Sequence, residues 1–517
     1  MNRVLLYSAF ALGLAIAACA APARPSADWT GPTGTGGETD HGEVGHDNGP
    51  EGLAFDGSGL DLASLRLSLP RPVSFLPAEV ALADQSAVIV SDLLYDGLTE
   101  AVGLEGRLRP GLAETWSANE DFTQWWFSLD DRRIEGARVV EYFDQLLDER
   151  ANPAIAPLLV DVVAVEAVGA AEVRFELAAP NAGFAWLMSG VGLSMVGVDG
   201  APTGRYAIET SDIDQLVLVP DEDSANWPTI EVHWAENDND AYEMLTLGFV
   251  DGAAAPAASL DDAKSRFGFV AAARSISRFY GIDADSPPLV DERAVEAVLH
   301  AVDRDGAVGS TAFAVDGPVA PSMAGYGAGG CASACDYQPD LAARLVADMQ
   351  SGVEADGGGA APGSSSLSIA YSGDEKQATA EAIAGDLEAA GFAVTLEAKT
   401  PSELAEAVAT GSADLFALGW LAGAGSIDAV IPQLFASDSP TNLLGFDSAE
   451  VDDLIARAAM TADDTARWRL LIEAQRLAMN EGHILPLAVA KSQLVVAPQA
   501  SALIVRADGS IDIEASQ

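Results

Sequence analysis

Residues 367–419 read LSIAYSGDEKQATAEAIAGDLEAAGFAVTLEAKTPSELAEAVATGSADLFALG. Leu367–Tyr371 is a short apolar run of strand length. Glu375–Ala390 follows with helical spacing and is closed by Gly391. Phe392–Leu396 is a second strand, Ser402–Thr410 a second helix, and Asp414–Gly419 a third strand of almost unbroken apolar character. A strand–helix–strand–helix–strand run predicts a parallel sheet flanked by helices, because parallel neighbours need a crossover and the crossover is usually a helix.

Working outward, Arg293–Val302, Asp340–Met349, Ala449–Ala459 and Asp464–Met479 have helical spacing, and Ser351–Ser366 is a Gly/Ser/Pro-rich loop. In the first half, Leu65–Leu69, Trp125–Leu129, Val173–Leu177 and Ile230–Trp234 read as strands. Gln85–Leu94, Val139–Leu147 and Asp240–Leu247 read as helices. Two α/β regions joined by crossing segments predict a hinged two-lobe molecule with its ligand in the cleft between the lobes. At 517 residues the chain is too long for one compact domain.

The chain has 27 Lys+Arg and 78 Asp+Glu, giving 27 − 78 = −51. Such a charge opposes a phosphate backbone, so no nucleic-acid partner is expected. Apolar residues make up 49%, enough to exclude a mostly disordered chain. Lysine is scarce: only Lys264, Lys376, Lys399 and Lys491 occur. None follows a glycine, so no P-loop is present, and neither an H-E-x-x-H nor a G-x-S-x-G motif occurs. The glycine pattern Gly325–Gly330 runs into a cysteine-containing loop rather than a helix and carries no phosphate-binding expectation. No enzyme activity, cofactor or metal is expected. His41 and His46 sit in an acidic linker, and only His233, His300 and His483 remain elsewhere.

Residues 1–18 have a basic start at Arg3 and an apolar run, Val4–Ala18, too short for a comfortable membrane span; they read as a signal peptide. Ile16-Ala17-Ala18-Cys19 resembles the bacterial lipobox, which implies a lipid on Cys19 and an anchored chain of 517 − 18 = 499 residues. Residues 19–60 are a Gly-rich acidic linker. In an exported chain, Cys331 and Cys335 read as a local disulfide; a metal site would need two more ligands nearby.

A family resemblance rests on segments spread over about residues 61–490. These are Leu94–Leu98 (LYDGL), Arg109–Trp116 (RPGLAETW), Asp121–Leu129, Pro202–Tyr206 (PTGRY), Gly248–Asp251 (GFVD), Pro287–Arg304 (PPLVDERAVEAVLHAVDR), Leu418–Trp420 (LGW), Phe446–Ala459 and Arg467–Pro486. In this order they resemble the extracellular solute-binding proteins of family 5, the peptide/nickel class serving ABC importers. The resemblance implies an α/β, two-lobe periplasmic-binding-protein-like fold of the class II type, with a small accessory subdomain in lobe one. It implies lobe one at 61–285 with a return at 487–517, the accessory part at about 96–199, and lobe two at 286–486. It also implies an extracytoplasmic, membrane-anchored monomer that passes a small solute, a peptide among the candidates, to a permease with its ATPase.

Trp420 is the leading ligand-contact candidate, since an aromatic at a strand end beside glycine can stack on a ligand; the alternative is a packed core tryptophan. Tyr280 is a weaker candidate. In peptide binders of the family, an aspartate three residues after the tryptophan can hold the ligand's α-ammonium; Gly423 occupies that position. Asp428 is a candidate substitute, the alternative being a helix cap or solvated loop acid. The segment Asp130–Val140 is short for the family, which trims the accessory part. Two alternatives stand beside transport. One is a surface lipoprotein of this fold turned to sensing or adhesion. The other is a secreted hydrolase, which the missing nucleophile motif disfavours.

Overall fold

The computed structural model describes residues 64–80, 84–102, 107–147, 155–221, 224, 227–256, 260–309, 312–327, 330–331, 335–351, 365–421, 425–500, 503–506 and 509–513. The signal peptide, Cys19, the linker, most of the loop 351–366 and Gly423 lie outside them.

The quoted stretch folds as strand Ser366–Ser372, helix Asp374–Ala390, strand Ala393–Lys399, helix Pro401–Thr410 and strand Leu415–Leu421. The first strand pairs in parallel with both others. Local chemistry sets the ends. Gly391 closes the long helix at φ 108°. Thr400 and Glu403 form a reciprocal capping box, with Pro401 in the first turn, at the start of the second helix.

Among the described residues, eleven strands make one sheet that runs through both halves of the molecule. Its two-lobe character comes from two long antiparallel strands, Gly268–Ile282 and Ile484–Val496. At one end, Val496–Leu494 pair with Gly252–Ala254, which stands beside Ser64–Pro70, itself paired in parallel with Thr229–Ala235. Leu65, Leu67 and Leu69 alternate into that lobe's core. At the other end, Ile276–Ile282 pair with Leu421–Leu415 and so join the parallel sheet. The register between the long strands shifts between Ala273 and Ser277, the stretch where the sheet changes lobes. This change of partners falls inside the strands, within the ranges 61–285 and 487–517 assigned to lobe one. A second shift stands at Pro486, which lacks an N–H for the ladder.

A separate four-stranded antiparallel sheet (Ala113–Ala118, Gln124–Leu129, Glu172–Leu177, Val162–Ala167) builds the accessory part. It closes on Phe127, Phe143, Phe175 and Phe184, with Phe143 and Phe175 edge to face at 4.9 Å. Tight backbone contact explains the glycines of LYDGL and RPGLAETW in mechanical terms. The amides of Leu112 and Ala113 donate to Gly97 O and Leu98 O, both at 2.9 Å. A Cβ on Gly111 would lie 2.5 Å from Gly97 O, so only glycine fits.

Among the described residues, no helix is long and apolar enough to cross a membrane.

Candidate functional site at the lobe junction

The strand Leu415–Leu421 is buried along its whole length and delivers Trp420 to the lobe junction. Trp420 is directly opposite Ser277 on the first long strand, and Ser277 is opposite Val489 on the second. Val489 in turn pairs with Phe313. Paired residues of antiparallel strands share a face, so Trp420, Ser277, Val489 and Phe313 form one row across four strands. Three strand spacings make that row roughly 14 Å wide.

Trp420 is 7% exposed and Ser277 3%. Neither the indole N–H nor the Ser277 hydroxyl has a hydrogen-bond partner among the described residues. Lys491 stands on the second long strand opposite Ala273, with its ammonium 4.2 Å from the Phe313 ring centroid. Burial, and secondarily the charge of Lys264, lower its pKa to about 8. Lobe one closes the opposite face of these strands. Val80, Ala87, Val88 and Val191 pack on Ile276, Leu421 and Ala490. Gln85 accepts from the Gln493 amide (3.3 Å) while its own Nε2 is buried without a partner among the described residues.

Asp428 differs from the expectation. The Arg467 guanidinium donates to it through Nε (2.7 Å) and Nη2 (3.4 Å), and Trp468 Nε1 donates at 2.8 Å. Ser426 Oγ donates as well. The side chains of Arg467 and Asp428 are 1% and 5% exposed. Burial alone would lower the Arg467 pKa; the carboxylates of Asp428 and Asp464 outweigh it and hold it above its ordinary value. An acid whose charge and lone pairs are already taken is a poor anchor for a ligand ammonium, so the part of the site reading that rested on Asp428 is withdrawn. Tyr280 lies three residues deeper than Ser277, opposite Ala417 and Leu485, in the same lobe-two core cluster as Trp420 and Val489, and its hydroxyl is likewise buried with no partner among the described residues. Burial raises its hydroxyl pKa.

The Asp428 cluster also touches the accessory part. Trp186 meets Trp468 in a T-shaped contact at 5.4 Å, Ala182 N donates to Ala459 O (2.9 Å), and a Cβ on Gly183 would collide with the Asp428 carboxylate at 2.6 Å. Cys331 and Cys335 are joined in a disulfide (Cα–Cα 5.6 Å) inside lobe two, and Arg304 Nη2 donates to Cys335 O at 2.9 Å. Among the described residues, no group of three or more His, Cys, Asp or Glu is placed to hold a metal ion.

Sequence reading missed Ser277, Lys491 and the Arg467–Asp428 pairing. The scarcity of lysine was the available signal for Lys491. For Ser277 there was none, because its place follows from strand register alone.

The fold and this junction define a two-lobe solute-binding protein. Residues 107–442 match the model of the bacterial extracellular solute-binding proteins, family 5 (middle region), and the chain belongs to that family. Among solved structures it is similar to HbpA2 from Haemophilus parasuis (TM-score 0.74, 18% identity, covering 87% of this chain and 100% of that one). NikA from Brucella suis in complex with Fe(III)-EDTA is similar at TM-score 0.67 and 18% identity, covering 87% and 100%. DppA from Helicobacter pylori in complex with the peptide STSA is similar at TM-score 0.65 and 16% identity, covering 87% and 98%. Among curated proteins, none matches the chain.

Proposed function

We propose that the protein is the substrate-binding lipoprotein of an ABC importer, anchored through Cys19 on the extracytoplasmic side. It captures a small solute by closure of two lobes and hands it to a permease. One observation carries the reading. The only continuous secondary structure between the lobes among the described residues is the pair of long strands, and their register breaks beside buried donors that have no partner among those residues. A hinge with an unsatisfied polar face fits a molecule that closes on a ligand. Relatives of this fold include one solved with a peptide and one with an iron chelate, so the fold alone leaves the solute class open.

The test is to purify the protein from its native source, extract and identify the retained solute by mass spectrometry, and follow interlobe distance by fluorescence transfer as that solute is added back. Solute-dependent shortening supports the proposal. A protein with no solute, and no distance change against peptides, chelates and sugars, overturns it.

A specific observation favours a second reading, a surface lipoprotein that senses or adheres. The accessory part contacts lobe two directly, through Trp186, Trp468 and the Ala182–Ala459 hydrogen bond. Neighbouring permease and ATPase genes would favour transport.

A further inference from the structure

We infer that Arg278, on the side of the first long strand that lobe one covers, recognises the solute by pairing with a carboxylate at one end of it. This deepens the binding-protein reading and rests on it.

The side follows from the register. Ile276–Ile282 pair with Leu421–Leu415 without a shift, so Ile276, Arg278 and Tyr280 lie on one side of the sheet, with Leu421, Gly419 and Ala417 opposite them on the same side. Trp420 and Ser277 lie on the other. Near the register break, Ile276 and Leu421 are covered by Val80, Ala87, Val88 and Val191 of lobe one. One pleat repeat further on, about 7 Å along the strand, comes Arg278. Gly419 flanks it on one strand and Ala488 on the other, so neither neighbour puts bulk beside it. Tyr280, one repeat deeper, is already part of the lobe-two core. Arg278 therefore stands where that core ends and the surface covered by lobe one begins. Parting the lobes uncovers Ile276 and Leu421 and clears the approach to Arg278; closing them encloses what it holds.

Its charge is the anomaly. The chain has 78 acidic residues against 27 basic ones, and its other half-buried or buried arginines have carboxylates: Arg205 with Glu100, Arg293 with Asp291, Arg304 with Asp316, Arg467 with Asp428. Arg278 is half-buried, yet its guanidinium makes no ion pair or hydrogen bond among the described residues, and its Nε is wholly enclosed. Arg107, Arg344 and Arg469 make none either, but they are exposed to water. A guanidinium carries five N–H donors and no acceptor, and buried donors without partners need a reason. Its planar fork matches a carboxylate in two parallel hydrogen bonds. No acid stands among the neighbours on this side, Ile276, Tyr280, Leu421, Gly419, Ala417 and Ala488, so the negative charge has to come with the solute. The residues of lobe one that meet Ile276 and Leu421 are all apolar, which suits an acid whose remainder is apolar.

The experiment uses the full chain purified from its native source. The retained solute is identified by mass spectrometry. Its affinity is measured by calorimetry for wild type, Arg278→Lys and Arg278→Gln, alongside the same compound with its acid converted to the primary amide. Phenylglyoxal, which modifies arginine, is applied with and without the solute, and the labelled positions are mapped with Arg107 and Arg344 as references. Melting temperatures report whether the arginine also holds the fold. The expected solute bears a carboxylate and binds about tenfold or more tighter than its amide. Arg278→Gln weakens the acid by about ten- to hundredfold, the scale of hydrogen bonds to a charged group, and leaves the amide nearly unchanged. Arg278→Lys falls between, because it keeps the charge and loses the fork. The solute protects Arg278 from labelling and leaves Arg107 and Arg344 reactive. Both variants melt with wild type. A solute that is neutral or cationic, or whose only anionic group is a phosphate, overturns the inference and leaves the binding-protein reading standing. So does Arg278→Gln binding the acid like wild type, Arg278 labelled equally with and without solute, or binding lost only in variants that melt well below wild type. No retained solute, and no binding of peptides, chelates or sugars to wild type, overturns the functional reading and this inference with it.

Discussion

Replacing Asp428 by Asn should unfold lobe two at a lower temperature while leaving solute affinity alone. The reason is in the lone pairs. Asp428 Oδ1 accepts from Arg467 Nε, and Oδ2 accepts from Arg467 Nη2, Trp468 Nε1 and Ser426 Oγ. Asn has one oxygen and one NH2. With its oxygen at the Oδ1 place, its NH2 faces the Trp468 N–H; turned over, it faces the Arg467 N–H. Either way a buried donor meets a donor, and a guanidinium 1% exposed loses its enclosed counter-charge. Removing one partner of a buried pair costs about 3–5 kcal/mol. Asp464 still accepts from Arg467 at 2.6 Å on its solvent side, which argues for the lower end, about 3 kcal/mol. For a unit of 150–250 residues, that corresponds to a fall in melting temperature of roughly 6–12 °C. Calorimetry reads the shift. A double-mutant cycle with Asp428→Leu and Arg467→Met should show the pair less damaging than the sum of the singles. If Asp428→Asn melts within about 1 °C of wild type while solute affinity falls tenfold, the carboxylate serves the ligand and the structural account is wrong.

Thiol labelling of denatured, unreduced protein should leave Cys331 and Cys335 unmodified. The loop they close is short, so its entropic contribution is only about 2 kcal/mol, and reduction should loosen the loop without unfolding the lobe. Cys19→Ser should release the protein from the membrane fraction; continued retention would count against lipidation. Gly423→Asp should create a preference for peptides with a free N-terminus over acetylated ones, measured by calorimetry; wild type should show none. Lys491 gives a pH signature. Its pKa is about 8 folded, against 10.5 as the reference, so between these values the unfolded chain binds more protons and stability rises with pH. Below pH 8 the full cost of burying the ammonium applies. Lys491→Met should accordingly gain stability over wild type at pH 7 and lose that advantage by about pH 10, as read by urea unfolding. A difference that does not change with pH would refute it.

The residues that made the family legible turn out to be fasteners. Asp251 of GFVD is 3% exposed and accepts from Arg66 through its main-chain N (3.0 Å), Nε (3.0 Å) and Nη2 (2.8 Å). Arg304, which ends the segment Pro287–Arg304, donates to Val315 O, Asp316 and Cys335 O. Arg133 ties Asp96 of LYDGL to Thr203 O of PTGRY. These contacts need particular side chains at fixed places, so they leave a pattern in one sequence. The parallel sheet was equally readable, because helix and strand periods alternate cleanly there. The two long strands were not. Strand Ile484–Val496 passes from one core to another, so its burial follows no period of two and carries no alternation to read.

The same distinction explains why the site was half visible. Trp420 is large, sits beside a glycine and ends an apolar strand, and each of these is a local feature. What surrounds it is set by register. Ser277 stands opposite Trp420 only because Ile276–Ile282 pairs with Leu421–Leu415 in that alignment. A slip of one residue would put Ile276 or Arg278 there instead. Asp428 was misread for the converse reason. An acid eight residues after the tryptophan is a local feature, but its partner Arg467 lies thirty-nine residues further on, on another helix. Local spacing can nominate a charged group for ligand binding. Only the fold decides whether its charge is still available, and at this junction it leaves the donors unpaired and the acid occupied.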